Sequence, residues 1–345
     1  MDTQFDFKKR LREGRFGEVW LANDIGLNAE CAVKCIPPDK VVNQHNFFHE
    51  AHILKTAQHT NIIKVLGSGK LNDGRIFVAM EFLKKGSLED ESMGAYIPLT
   101  RARQIMIDVL RGLEHAHSKD IIHRDIKPAN ILIGDSGEGK LSDFGLAVCG
   151  VKHLQPDAIK DYKYRMHLAP EVKSLNDYSY MSDIYACGVT LYRLVNGDSY
   201  IRTIPFERFK EEAEKGTFPD RNSYREFVPK SLKLIINKAL SINSILRFKS
   251  AKEMRRALEQ VKIHMNWNEQ LFLDRIKWSA SWGNKCYIVE RIRIDPNRWQ
   301  IITRKGSSKH SLRSIKKYCF KALSERESIK KTSKILQDFV NGKSV

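Results

Sequence analysis

Residues 122–132 constrain this chain more than any other stretch; they read Ile122-His123-Arg124-Asp125-Ile126-Lys127-Pro128-Ala129-Asn130-Ile131-Leu132. The spaced set H-R-D-x-K-x-x-N would arise by chance at roughly one position in a few million at average residue usage. It places a carboxylate, an ammonium and an amide close together between apolar flanks. Two further segments follow in order: Lys140-Leu141-Ser142-Asp143-Phe144-Gly145, then Ala169-Pro170-Glu171.

Upstream, Leu11, Arg12, Glu13, Gly14, Arg15, Phe16, Gly17, Glu18 and Val19 form a glycine hairpin between two strands. Glycine leaves no Cβ in the way, so backbone N–H groups there can approach phosphates. Such hairpins are common, and alone this one says little. Ala-Val-Lys then ends at Lys34 on a strand, where a lysine is usually a snorkelling surface residue. Glu50, on the apolar-faced helix that follows, reads as a solvated charge. If those two charges pair across the lobe, both readings change together.

In this order and spacing, over about residues 5–262, the chain resembles the eukaryotic-type (Hanks-type) protein kinase family, Ser/Thr branch. The resemblance implies an ATP-dependent enzyme that phosphorylates serine or threonine hydroxyls of proteins, itself and partners included, in a signalling or regulatory role. It implies ATP and Mg²⁺, and a role for each residue. Lys34 would hold the α- and β-phosphates and Glu50 would hold Lys34. Asp143 and Asn130 would ligate Mg²⁺ through oxygen, as that ion prefers. Asp125 would accept the substrate hydroxyl, while Lys127 would neutralise the transferred group. Residues 11–19 would cover the phosphates. Met80 stands at the gatekeeper position, Glu81 and Leu83 at the adenine-binding hinge, and Ser87 near the ribose. Val19, Ala32 and Leu132 would sandwich the ring. His123, Arg124, Phe144, Asp183 and the pair Glu171–Arg247 would be structural. Lys127-Pro128-Ala129-Asn130 resembles the Ser/Thr branch; small-molecule kinases usually show His-Gly-Asp and lack Lys127, and pseudokinases normally lose Lys34, Asp125 or Asp143.

Three departures stand out. Arg12 replaces the first glycine of the phosphate loop, while Gly14 and Gly17 remain. Lys163-Tyr164 stands where Ser/Thr kinases usually have Gly-Thr. No serine or threonine occurs between Asp143 and Glu171, so an activating loop phosphate is confined to Tyr162 or Tyr164. Otherwise Asp157 or Asp161 supplies fixed charge, or the loop orders unmodified; dual specificity is the other option.

The surrounding pattern predicts an α+β, bilobal architecture: a small β-rich lobe (about 1–83) and a larger helical lobe (84–262), followed by an accessory domain over 263–345. Strands are expected over 18–22, 31–36 and 76–82, and a helix over 46–57. A helix over 100–117 shows one apolar stripe, and one over 182–196 is apolar almost all round. No apolar run reaches membrane-spanning length, and the first ten residues lack a signal-peptide core. The six cysteines are scattered without a C-x-x-C pair, which points to a reduced, cytoplasmic chain rather than a disulfide or zinc scaffold.

Charge divides the chain unevenly. Residues 261–345 hold 19 Lys+Arg against 7 Asp+Glu, most of the net +18. Strands over 286–295 and 299–304 are joined by Asp295-Pro296-Asn297. Helices are expected over 311–323, with Leu312, Ile315, Cys319 and Leu323 on one face, and over 325–340, where Ser324 and Glu327 form a capping box. The result is a basic ββαα module. Its lysines, with Trp299 and Tyr318 to stack, offer a nucleic-acid surface. The other reading is a solvated face on a regulatory or docking domain.

Overall fold

The structure, a computed structural model, describes residues 4–14, 17–37, 49–144, 148–149, 166–175, 177–201, 204–205, 208–308 and 311–343. The small lobe is an antiparallel sheet of five strands in the order β1-β2-β3-β5-β4. They are β1 (Phe5–Gly14), β2 (Gly17–Asp24), β3 (Ala29–Ile36), β4 (Val65–Lys70) and β5 (Ile76–Glu81). Alternation sorts its two faces. Ala22, Cys31, Val33, Cys35, Phe77 and Ala79 bury outward under Phe5, with Trp20 packed alongside. Ala32, Lys34, Val78 and Met80 face the cleft: Ala32 pairs with Met80, and Lys34 with Val78. Val19 stands opposite Lys34 on the same face. The helix His49–Thr56 adds Ile53 and Leu54 to the main core.

Gly17 closes the β1–β2 hairpin opposite Gly14. Its φ is +139°, and a Cβ there would lie 2.1 Å from the Cys35 carbonyl oxygen. Only glycine lets the hairpin lie so close on β3.

The large lobe is helical. The expected stripe becomes the helix Leu99–His117, with Ala102, Ile105, Met106, Val109, Leu110 and Leu113 buried. The all-apolar segment becomes Tyr180–Asn196, buried along nearly its whole length and stopped by Gly197 at φ +77°. Between these helices lie the short strands β6 (Ile121–Ile122), β7 (Ile131–Ile133), β8 (Gly139–Leu141) and β9 (Val148–Cys149), paired β6–β9 and β7–β8. They hold the loops of the site.

The C-terminal region corrects the ββαα expectation. Its strands are β10 (Asn268–Leu271), β11 (Arg275–Trp282), β12 (Lys285–Asp295), β13 (Arg298–Gly306), β14 (Arg313–Ser314) and β15 (Phe320–Leu323). They form one antiparallel sheet, with β14 and β15 both on β13. The helix Glu325–Val340 follows, started by the Ser324–Glu327 capping box as expected. The second expected helix, over 311–323, does not form. Ile315 donates its N–H to the Thr303 carbonyl, and Leu323 pairs with Trp299, so β13 takes up this segment as two short strands with a single 3-10 turn, Lys316–Tyr318, between them. A helix would bury Ile315 and Leu323 equally well but would leave that edge of β13 unpaired.

The module and the large lobe share one continuous core. Trp267, Trp278, Val289, Ile301 and Phe339 bury with Tyr185, Leu191 and Phe227 of the lobe. Polar ties run alongside: Arg225 to Glu269, Arg291 to Glu226 at 2.6 Å, and Gln337 to the Glu226 carbonyl at 3.0 Å. The rings offered for stacking are engaged here. Tyr318 lies 5.7 Å from Phe339, and the Arg291 and Arg293 guanidinium groups face Trp299.

Candidate active site

The loop after β6 is held from behind by one carboxylate. Asp183, in the first turn of Tyr180–Asn196, accepts the backbone N–H groups of His123 and Arg124, each at 2.9 Å. His117 Nε2 lies 3.0 Å from the same carboxylate. Burial alone would raise the Asp183 carboxyl; these donors and the neighbouring imidazoles outweigh it and hold it below the ordinary value. Burial pushes His123 the other way, favouring the neutral ring. Its Nε2–H then donates to the Ser142 carbonyl at 3.1 Å, and Nδ1 accepts the Asp125 N–H. The His123 ring packs 4.5 Å from Phe144. Two loops far apart in sequence are thereby locked in register. Arg124 and Asp143 both adopt left-handed backbone, at φ +69° and +61°. For non-glycine residues this is strained and clusters at functional sites.

At the front of the loop Asp125 accepts from Lys127 Nζ at 2.8 Å and Asn130 Nδ2 at 2.7 Å, both through Oδ2. Oδ1 is buried with no hydrogen-bond partner among the described residues. An orphaned carboxylate oxygen is costly, and persists where an incoming group can satisfy it. Burial is the main influence on Asp125; it overcomes the attraction of Lys127 and raises the carboxyl to about 6. Asp143 behaves oppositely. Burial would raise it, but Lys34, hydrogen-bonded to Oδ1 at 2.8 Å, holds it well below the usual carboxylate range. Two neighbouring carboxyls are thus set apart by their surroundings.

Among the residues expected around a nucleotide, Ala32, Met80 and Leu83 are buried, and Val19 and Leu132 half-buried. Ser87 bridges to Leu132 through the backbone, which ties the segment just after the hinge to β7. Its hydroxyl caps the helix Leu88–Ser92 in a capping box with Asp90. Glu81 gives its N–H to the Lys64 carbonyl, and its carboxylate is held by Lys140 at 2.9 Å. Leu11 and Glu13 are exposed, and Glu18 accepts from Arg10 and Trp20 on the outer face. Arg15, Phe16 and the Glu50 side chain lie outside the described residues, as do Tyr162, Lys163, Tyr164, Asp157 and Asp161. Glu171 and Arg247 form a two-pronged ion pair at 2.6 and 2.8 Å, with the Arg247 side chain fully buried.

Sequence reasoning did not give the reach of Arg12. Its Nη1 crosses between lobes to the Ala129 carbonyl at 3.1 Å and to Asn130 Oδ1 at 3.3 Å. It also missed His117 as a support of Asp183, and the Lys140–Glu81 pair; both contacts are long-range. The oxygens of Asp143 and Asn130 suit a hard cation such as Mg²⁺. Among the described residues no cluster of three or more His, Cys, Asp or Glu forms a ready metal cage.

Comparison with known proteins agrees with this geometry. Residues 5–260 match the family described as protein kinase domain. Serine/threonine-protein kinase shk2 of Schizosaccharomyces pombe is 28% identical over 254 residues, 72% of this chain and 43% of that protein. Serine/threonine-protein kinase STE20 of Saccharomyces cerevisiae is 31% identical over 217 residues, 62% of this chain and 23% of its own length. A probable serine/threonine-protein kinase of Clostridium perfringens, CPE1738, is 30% identical over 277 residues, 76% and 39% respectively. The chain therefore spans less than half the length of these curated relatives. With nearly three quarters of its residues inside the match, from the first strand to the last helix of the large lobe, the chain belongs to the protein kinase domain family.

Proposed function

We propose that the chain is a protein kinase that transfers the γ-phosphoryl group of ATP to serine or threonine hydroxyls of proteins. The observation that carries this is the buried Oδ1 of Asp125, without a hydrogen-bond partner among the described residues, on a carboxylate that Lys127 and Asn130 fix through its other oxygen. It presents an acceptor to a substrate hydroxyl. The serine/threonine kinases among the relatives, and Lys127-Pro128-Ala129-Asn130, support the choice of hydroxyl.

In this reading the substrate hydroxyl donates a hydrogen bond to Asp125 Oδ1, and its oxygen bonds to the γ-phosphorus. The bond from that phosphorus to the bridging oxygen of ADP breaks, and the hydroxyl proton passes to Asp125. Lys127 neutralises the transferred group, and Lys34 holds the phosphates nearer the nucleoside. Asp143 would hold Mg²⁺, which would further neutralise phosphate charge when bound; the Asn130 oxygen, expected to join it, faces Arg12 at 3.3 Å. Positioning and charge neutralisation are what phosphoryl transfer chiefly requires. Ala32, Val19 and Leu132 line the ring site, with hinge contacts from Glu81 and Leu83. The protein acts in the cytoplasm. Free thiols at Cys31, Cys35, Cys187, Cys286 and Cys319 support that, and among the described residues no helix is long and apolar enough to cross a membrane.

Incubation of the purified chain with labelled ATP, followed by phosphosite mapping, tests the proposal. Serine and threonine sites should appear outside residues 143–171, with any phosphate in that loop confined to Tyr162 and Tyr164. Failure to label any protein, itself included, would count against it.

A pH profile tests the role of Asp125. The proton acceptor must be ionised, and its carboxyl is raised to about 6. Activity at subsaturating substrate should therefore fall as pH drops through about 6. The slope should approach about tenfold per pH unit below that. Asp143 stays ionised throughout, so nucleotide affinity should hold across the same window. A flat profile from pH 5 to 8 would remove Asp125 as the acceptor.

A further inference from the structure

The register of the phosphate hairpin slips by one residue between Arg10 and Arg12. Arg10 pairs with Trp20 and Arg12 with Val19, so two positions on β1 meet adjacent positions on β2. A bulge of this kind turns the next side chain to the opposite face of the sheet. Arg10 stays on the outer face, bonded to Glu18 at 3.0 Å. Arg12 turns to the cleft face, the one that carries Val19 and Lys34.

From there its guanidinium spans the cleft to Asn130 Oδ1 and the Ala129 carbonyl. Its charge, with those of Lys34 and Lys127, also helps hold Asp143 ionised. A cation therefore lies on the amide oxygen expected to ligate Mg²⁺; protein kinases in general hold two Mg²⁺ ions, on the DFG aspartate and on this catalytic-loop asparagine. A guanidinium cannot be deprotonated in a protein, and its planar fork of donors suits phosphate oxygens. A dication brought to the same oxygen would meet its repulsion.

We infer that Arg12 takes the place of the second metal ion at Asn130, so that this kinase binds its nucleotide with one Mg²⁺ and one arginine. The inference rests on the proposed kinase function. The nucleotide's own Mg²⁺ sits with Asp143, while Arg12 supplies the remaining positive charge from the hairpin. Arg12 is then a determinant of metal requirement, built from the position where the phosphate loop departs from glycine.

The test is ADP binding to the full chain by calorimetry, at free Mg²⁺ just above the nucleotide concentration and again at large excess. Wild-type affinity should be the same at both. Arg12→Gly, which opens the Asn130 oxygen, should gain affinity from excess Mg²⁺ on the order of tenfold, within the usual range of coupling between two ligands. Arg12→Gln keeps a polar, non-glycine side chain on the hairpin but is shorter and lacks the charge, and should gain in the same way. Equal Mg²⁺ dependence in wild type and both variants overturns the inference. So does a gain confined to Arg12→Gly, which would reflect a loosened hairpin rather than a missing cation. If wild type binds no ADP under any condition, the kinase reading falls and this inference with it. ADP binding without the predicted difference removes the inference alone.

Discussion

Asp125→Ala should lower phosphoryl transfer by about 10²–10⁴-fold, the usual contribution of a positioned proton acceptor, while leaving nucleotide affinity near wild type. The carboxylate itself is expected to contact the substrate hydroxyl rather than the nucleotide; its own partners are Lys127 and Asn130. Asp143→Ala should be at least as damaging to turnover and should differ in binding. It removes both the oxygen offered to Mg²⁺ and the 2.8 Å partner of Lys34. Nucleotide affinity in Mg²⁺ should then fall together with the rate. Autophosphorylation followed by mass spectrometry, with ADP titrations on the same preparations, separates the two losses. Wild-type-like labelling in either variant would overturn the assignment. Equal loss of ADP affinity in both would merge two roles that the geometry keeps apart.

Trp278→Ala should cost about 3–5 kcal/mol of stability, the usual range for a fully buried aromatic truncated to alanine. Against a typical total of about 5–15 kcal/mol this is severe. Trp278 is completely buried, and its indole N–H donates to Glu269 at 2.8 Å; Glu269 in turn pairs with Arg225 of the large lobe. Truncation removes the packing and loosens that carboxylate. Because the core runs unbroken from lobe to module, the loss should appear in the kinase lobe itself. Thermal or denaturant unfolding should show one transition, moved down, with ADP binding lost along the same curve. Two transitions, with the nucleotide-binding one unmoved, would mean the module is an independent domain.

The sequence located the catalytic loop because its chemistry is local. His123, Arg124, Asp125, Lys127 and Asn130 lie within one short run, and their spacing alone carries the pattern. The helices Leu99–His117 and Tyr180–Asn196 were legible for a similar reason, since apolar period and length agree. The failures came where an element is decided by its neighbour. Leu312, Ile315, Cys319 and Leu323 fit a helical stripe, yet the open edge of β13 settles that segment as extended chain. β11 went unread although Ile276, Trp278, Ala280 and Trp282 alternate along it. That period of two, with Arg275, Lys277, Ser279 and Ser281 on the other face, was the available signal. Arg12 was visible only as a missing glycine. Its contact with Asn130 crosses 118 positions and depends on a one-residue slip in strand pairing, which no local pattern announces.

The docking of β10 bears on how this chain avoids sticking to copies of itself. A six-stranded antiparallel sheet ends in edges whose free N–H and C=O groups can template another strand. Here one edge is turned inward: β10 is four residues long, and the Glu269 N–H on its outer side donates to the Tyr96 hydroxyl at 2.8 Å. The Arg225 guanidinium lies over the same tyrosine ring, 4.3 Å from its centre. The opposite edge is broken between β14, two residues opened by Arg313, and β15, four residues that include Lys321. One edge is plugged by the large lobe and the other is too short and too charged to zip. Tyr96→Phe would leave the ring stacked on Arg225 and free one edge amide, making β10 the first place to look for aggregation by strand addition.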